Sequence, residues 1–166
     1  MVIESVAKIV EDRPLCCIAA GATVQQACEV LDRENVGALP VLDGDRLVGL
    51  LCERDVICRA IGKHRAAEET AVSEIMTPDP KTVPRDASVA TAMQTMIRGG
   101  FRHLPVMKRD EVVGVLSMRD IPTEYRVMFD RYEESRSARH TLEHVDACAR
   151  PPRSADGSDQ SILARR

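Results

Sequence analysis

The stretch Gly100-Phe101-Arg102-His103-Leu104-Pro105-Val106, followed by Val113-Gly114-Val115-Leu116-Ser117-Met118-Arg119-Asp120-Ile121, decides the fold, because the chain has already written most of it once. Sixty-five residues earlier stand Leu39-Pro40-Val41, Val48-Gly49, Leu51 and Arg54-Asp55. Ala22, Val24, Ala27, Arg33 and Asp45 likewise have identical partners at Ala87, Val89, Ala92, Arg98 and Asp110. The register holds without a gap from Cys17 to Val56. A shift of 66 instead aligns Val6-Ala7-Lys8-Ile9 with Val72-Ser73-Glu74-Ile75, so the first copy carries one extra residue near Leu15. An internal repeat of this length is one supersecondary unit that needs its neighbour to cover its apolar face.

Each copy carries the same local signals. In the second, Thr82-Val83 predicts a short strand and Pro84-Arg85-Asp86 a turn, with Asp86 or Ser88 placed to cap the next helix. Val89, Ala92, Met93, Met96 and Ile97 form the apolar stripe of that helix, and Gly99-Gly100 stops it. Phe101 to Met107 and Glu111 to Ser117 read as strands around a turn at Lys108-Arg109-Asp110. A second helix opens after Asp120, with Pro122 in its first turn. The first copy repeats this with Val24, Ala27, Cys28 and Leu31 on the helix. Strands then run from Val36 to Leu42 and from Arg46 to Cys52, and a helix runs from Asp55. The fold class is therefore α/β, in the α+β sense: two β-α-β-β-α repeats packed sheet to sheet about a pseudo-twofold axis. The expected boundaries are 1–65 and 66–125 for the repeats, 126–148 for a helical extension and 149–166 for a disordered tail.

Composition narrows the function classes. Hydrophobic residues make up 44% of the 166 and aromatics 2%, with no Trp, so the core must be aliphatic. A net charge of −3 and few aromatics argue against a nucleic-acid partner. No apolar run reaches membrane-spanning length, and the opening residues lack a basic segment followed by an apolar one. Cys16, Cys17, Cys28, Cys52, Cys58 and Cys148 include no C-x-x-C pair and read as reduced thiols of a cytoplasmic protein. His140 and His144 are spaced for one helix face but lack the adjacent Glu of a hydrolytic zinc helix, so no metal is expected. No catalytic constellation and no G-x-x-x-x-G-K loop is present.

The two motif sets resemble those of a cystathionine-β-synthase (CBS) domain, and their tandem arrangement resembles the pair called a Bateman module. Glu74-Ile75-Met76-Thr77-Pro78 is similar to the segment that opens the second domain of such tandems, and the likeness runs from Val6 to Tyr125. The resemblance implies a regulatory module that binds AMP, ADP, ATP, NAD or S-adenosylmethionine between its sheets, with AMP foremost. It also implies a disc-like homodimer, no catalytic cofactor and a separate protein partner.

It further implies roles for residues that match the motifs. One carboxylate can accept from both ribose hydroxyls, which suits Asp120 and Asp55, although each could instead simply cap its helix. A second-copy site would comprise Thr82, Val83, Phe101, Arg102, His103, Pro105, Ser117, Arg119 and Asp120. A first-copy site would comprise Cys17, Ile18, Gly37, Ala38, Pro40, Cys52, Arg54 and Asp55. The arginines offer charge-assisted donors to phosphate. Cys17, Cys52 and Gly37 replace Thr82, Ser117 and Arg102, so the second-copy site is expected to be the better one. Two other readings stand beside this one: a dimeric scaffold with decayed sites, and a thiol switch at Cys16-Cys17.

Overall fold

A computed structural model describes residues 5–127 and Arg131. The first repeat places strand β1 (Ile18–Ala19), helix α2 (Val24–Arg33), strand β2 (Ala38–Asp43) and strand β3 (Arg46–Cys52) in order, after a short helix α1 (Ala7–Val10). Helix α3 (Glu53–Asp55) continues as a π-helical turn, Val56–Ala60, and a 3-10 turn, Ile61–Lys63. The second repeat follows with β5 (Val83–Pro84), α4 (Val89–Gly99), β6 (His103–Lys108), β7 (Glu111–Ser117) and a 3-10 turn, Met118–Asp120. Between them lies β4 (Thr77–Pro78).

Local chemistry explains the helices. Thr23 opens α2 with a reciprocal capping box: its hydroxyl accepts from the Gln26 amide at 3.2 Å, and the Gln26 side chain accepts from the Thr23 amide at 3.0 Å. Of the two capping candidates in the second copy, Ser88 does the work, accepting from the Thr91 amide at 3.0 Å. Asn35 and Gly100 take the same left-handed turn after their helices, at φ 50° and 68°. The buried stripes are Val24, Ala27 and Leu31 on α2, and Val89, Ala92, Met93 and Met96 on α4. Ile97, expected on the α4 stripe, is instead 46% exposed.

The sheets repeat each other too. The first has order β1-β2-β3-β4 and the second β5-β6-β7. In both, the first strand runs parallel to the second and the hairpin is antiparallel. A register shift falls at equivalent places, Val41/Leu42 and Val106/Met107. The two central strands start two residues later than the sequence pattern suggested. The Val36 and Phe101 amides instead donate to the Leu31 and Met96 carbonyls at 3.1 and 3.2 Å, which ties those residues to the ends of the preceding helices and delays the strands. Strand β4 pairs with β3 and was not anticipated at all. Leu39, Val41 and Leu51 are fully buried, as are Leu104, Val106 and Leu116, and β7 packs against both β2 and β3.

The leading segments change sides. The Val6 amide donates to the Ala87 carbonyl at 2.9 Å, and the Val72 amide donates to the Ala22 carbonyl at 2.8 Å. Ser5 bridges to Ser88 and Ala71 to Thr23. A Cβ on Gly114 would come within 3.0 Å of Val10 Cβ, and one on Gly49 would run into Met76 Sδ. These glycines leave room for side chains from the other repeat's leading segment. Each repeat of the sequence is thus finished by a segment that precedes the other. The helical extension expected at 126–148, beyond Val127 and apart from Arg131, lies outside the described residues, as do His140, His144, Cys148 and the tail at 149–166.

Candidate functional site

Two clefts open between the repeats, related by the pseudo-twofold. The first, about 460 Å³, brings Cys52, Arg54, Asp55 and Arg59 from one repeat to Phe101, Arg102 and His103 from the other. Asp79, Pro80 and Lys81 complete its wall. The second, about 370 Å³, brings Ser117, Arg119 and Asp120 to Val36, Gly37 and Ala38. Arg13 and Glu53 also line it, and Arg102 and His103 are common to both clefts. A smaller cavity of about 310 Å³ adjoins the second cleft beneath Arg13, walled by Val10, Leu15 and Gly114.

The two carboxylates are held alike. Asp120 accepts from the Ser117 amide at 2.7 Å, and Asp55 accepts from the Cys52 amide at 2.9 Å. Each cap fixes one carboxylate oxygen at the turn where its hairpin ends, and so aims the other into the cleft. On Asp120 that other oxygen pairs with Arg13 Nη1 at 2.7 Å. On Asp55 it pairs with Arg59 Nη1 at 3.3 Å. Asp55 is only 7% exposed, and Cys52 Sγ also donates to it at 3.0 Å.

Charge in both clefts is lopsided. Arg13, Arg102, Arg119 and Arg126 face Glu53 and Asp120 in one. Arg54, Arg59, Lys81 and Arg102 face Asp55 and Asp79 in the other. Each holds a surplus of positive charge beside an acceptor suited to a vicinal diol. Between them, burial pushes the His103 imidazole below the usual histidine range, and Arg102 adds to that. Glu53 and Asp120 pull the other way. A Cβ on Gly37 would lie 3.1 Å from His103 Nε2, so the glycine leaves the imidazole its place.

The sequence sorted the site residues by copy, and the structure sorts them differently. Gly37 and Ala38 face Asp120, and Phe101 faces Asp55. The inference that Gly37 removes a phosphate contact from the Asp55 site is therefore corrected, because Arg102 reaches that cleft from the opposite repeat. Thr82 and Cys17 are exposed, and Val83, Pro105 and Pro40 are buried. These five, with Ile18, line neither cleft. Arg13, Arg59, Asp79 and Lys81 were missed. Two of them, Asp79 and Lys81, follow the Met76-Thr77-Pro78 segment that had already been singled out.

The surroundings of three thiols disfavour their reactive form. Burial raises the Cys16, Cys28 and Cys52 thiols above the ordinary range, which works against the reactive thiolate. Among the described residues no three His, Cys, Asp or Glu side chains gather as metal ligands. No described helix is long and apolar enough to cross a membrane.

The family model for the CBS domain matches residues 6–61 and 72–124. The chain belongs to the CBS domain family. A CBS domain-containing protein of Arabidopsis thaliana is 34% identical over 102 residues, which is 61% of this chain. The chain spans about a fifth of the length of that relative, 19%. A protein with CBS domains from Burkholderia ambifaria shares the fold with a TM-score of 0.66 at 30% identity, over 70% of this chain and 89% of that one. A CBS domain protein of Pyrobaculum aerophilum, solved in complex with AMP, aligns with a TM-score of 0.65 at 28% identity, over 76% of this chain and 96% of the other.

Proposed function

We propose that this CBS pair is a regulatory, non-catalytic module that binds an adenine nucleotide, AMP first among them, and passes its occupancy to a protein partner. The observation that carries the reading is the repeated constellation: a capped carboxylate beside four cationic side chains, present in both clefts. The carboxylate accepts the ribose hydroxyls, and the cations meet phosphate. Leu50, Pro80 and Phe101 offer the Asp55 cleft an apolar wall for the base. With Arg102 shared, the sequence-based preference for the Asp120 cleft keeps only the Ser117 hydroxyl in its favour, against the larger volume at Asp55. The AMP complex of the Pyrobaculum relative supports the ligand class.

We further propose a cytoplasmic homodimer. Ile57 and Ile61, one turn apart, are 60% and 64% exposed, a costly surface to leave wet. Calorimetry with AMP, ATP, NAD and S-adenosylmethionine tests the ligand. Micromolar binding of AMP is expected, and no binding of any of the four by folded protein overturns the reading. In that case the scaffold alternative gains, since both carboxylates already pair with arginines of this chain.

A further inference from the structure

The two clefts differ in the arginine that sits on the carboxylate. Arg59 lies one turn after Asp55 and is tied down elsewhere: its Nη1 also donates to the Ile75 and Met76 carbonyls at 2.9 and 2.8 Å and to Thr77 Oγ1 at 3.3 Å. It is a fixture of the fold. Arg13 comes from the opposite end of the chain, 107 residues from Asp120. Its side chain is 51% exposed, and its ion pair and hydrogen bond are both to Asp120 Oδ1. The 66-residue shift that aligns the leading segments puts Asp79 at its place in the other cleft. The pseudo-symmetry is therefore broken at this position by a full reversal of charge.

We propose that Arg13 makes the Asp120 cleft selective for phosphorylated ligands by exchange; this rests on the nucleotide reading above. The guanidinium sits on Asp120 Oδ1, the carboxylate oxygen that faces the cleft, and competes there with a ribose hydroxyl. A ligand with a diol alone displaces Arg13 from that oxygen and offers the guanidinium no anion in exchange. A ligand that carries a phosphate gives the evicted guanidinium a stronger anionic partner, in a planar bidentate geometry suited to it. Arg102, Arg119 and Arg126 in the same cleft keep the phosphate near. In the Asp55 cleft the arginine contact is longer, 3.3 Å against 2.7 Å, and Arg59 is held by its bonds to Ile75, Met76 and Thr77, so a ribose can share the carboxylate without evicting it; with Asp79 in place of Arg13, that cleft has no such exchange and discriminates less.

The test is titration of the full chain with AMP and with adenosine, followed by NMR at the Ser117 amide, which donates to Asp120 and so reports this cleft alone. In Arg13→Gln we expect AMP to bind at least about fivefold more weakly and adenosine at least about threefold more tightly. The thermal midpoint should move by less than about 4 °C, since the Arg13 side chain is half exposed. An AMP-to-adenosine ratio unchanged within about twofold overturns the exchange. So does weaker AMP with unchanged adenosine, which would make Arg13 a simple phosphate contact. Arg13→Lys keeps the charge but loses the planar fork, and should fall between the two. If neither ligand binds the unaltered protein, the nucleotide reading itself fails, an outcome distinct from an unchanged ratio.

Discussion

Replacing Asp55 by Asn removes one charge and almost no volume, which makes it the sharpest probe of the proposed ribose contact. The Asn oxygen can keep the Cys52 amide, now at 2.9 Å from the carboxylate. Its amide group then faces Arg59, a donor against a donor. Arg59 retains its bonds to Ile75, Met76 and Thr77, so the helix stays attached and the stability loss should be about 1–2 kcal/mol, or roughly 4–8 °C in midpoint. Ligand binding loses at least one of two hydrogen bonds to a charged acceptor, each worth about 1.5–3 kcal/mol. That converts to a weakening of roughly 10- to 150-fold. The comparison with 2′-deoxy-AMP isolates the cause. Native protein should prefer AMP over the deoxy ligand by about tenfold, read by NMR at the Cys52 amide, and Asp55→Asn should reduce the preference below about threefold. If the variant folds and the preference survives intact, Asp55 does not hold the ribose.

Three further outcomes follow from the geometry. Because the His103 imidazole is held below its ordinary value of about 6.5, the unfolded chain binds the extra proton more readily than the folded one. Its contribution to stability is therefore full above that value and is lost as pH falls through the window beneath it. Midpoints from pH 7.5 to 5 should decline less steeply in His103→Gln, and an unchanged slope would remove His103 as the cause. Arg109 and Gly44 occupy the same left-handed hairpin position, at φ 57° and 60°. Arg109→Gly should gain up to about 1 kcal/mol and Gly44→Ala should lose about as much in urea denaturation; equal and negligible effects would refute the strain. Gly49→Ala should cost about 1–3 kcal/mol by forcing Met76 aside. Combined with Met76→Ala it should cost less than the sum of the two, and strict additivity would show that the contact is not responsible.

The hairpins were the most legible part of the sequence. Strands β3 and β7 lie at the residues that alternation and turn chemistry indicated, since both signals are local. Asp55 and Asp120 were legible as well, because the repeat marks them twice. The partnership of the clefts was not. Aligning a chain with itself shows that residue 37 corresponds to residue 102 but cannot say which of them faces Asp55; that is decided by packing across the pseudo-twofold. Arg13 was invisible for a related reason, because its counterpart Asp79 has the opposite charge and self-comparison rewards identity. Thr82 and Cys17 were placed on the first strand of each copy and given a ligand role by resemblance; the strands begin one residue later, at Ile18 and Val83, and both residues are exposed.

The crossing of the leading segments bears on how such a chain came to exist. A lone ancestor of one repeat would have left the groove over its Gly49 or Gly114 position open. The leading segment of a second, identical chain would close that groove in the way the two repeats close each other's here. Joining two copies head to tail puts donor and acceptor on one backbone, so the association becomes intramolecular and no longer depends on protein concentration. It also frees the halves to diverge, since each lent segment then meets a single defined host. Arg13 and Asp79, carried on the two lent segments, show how far that divergence has gone.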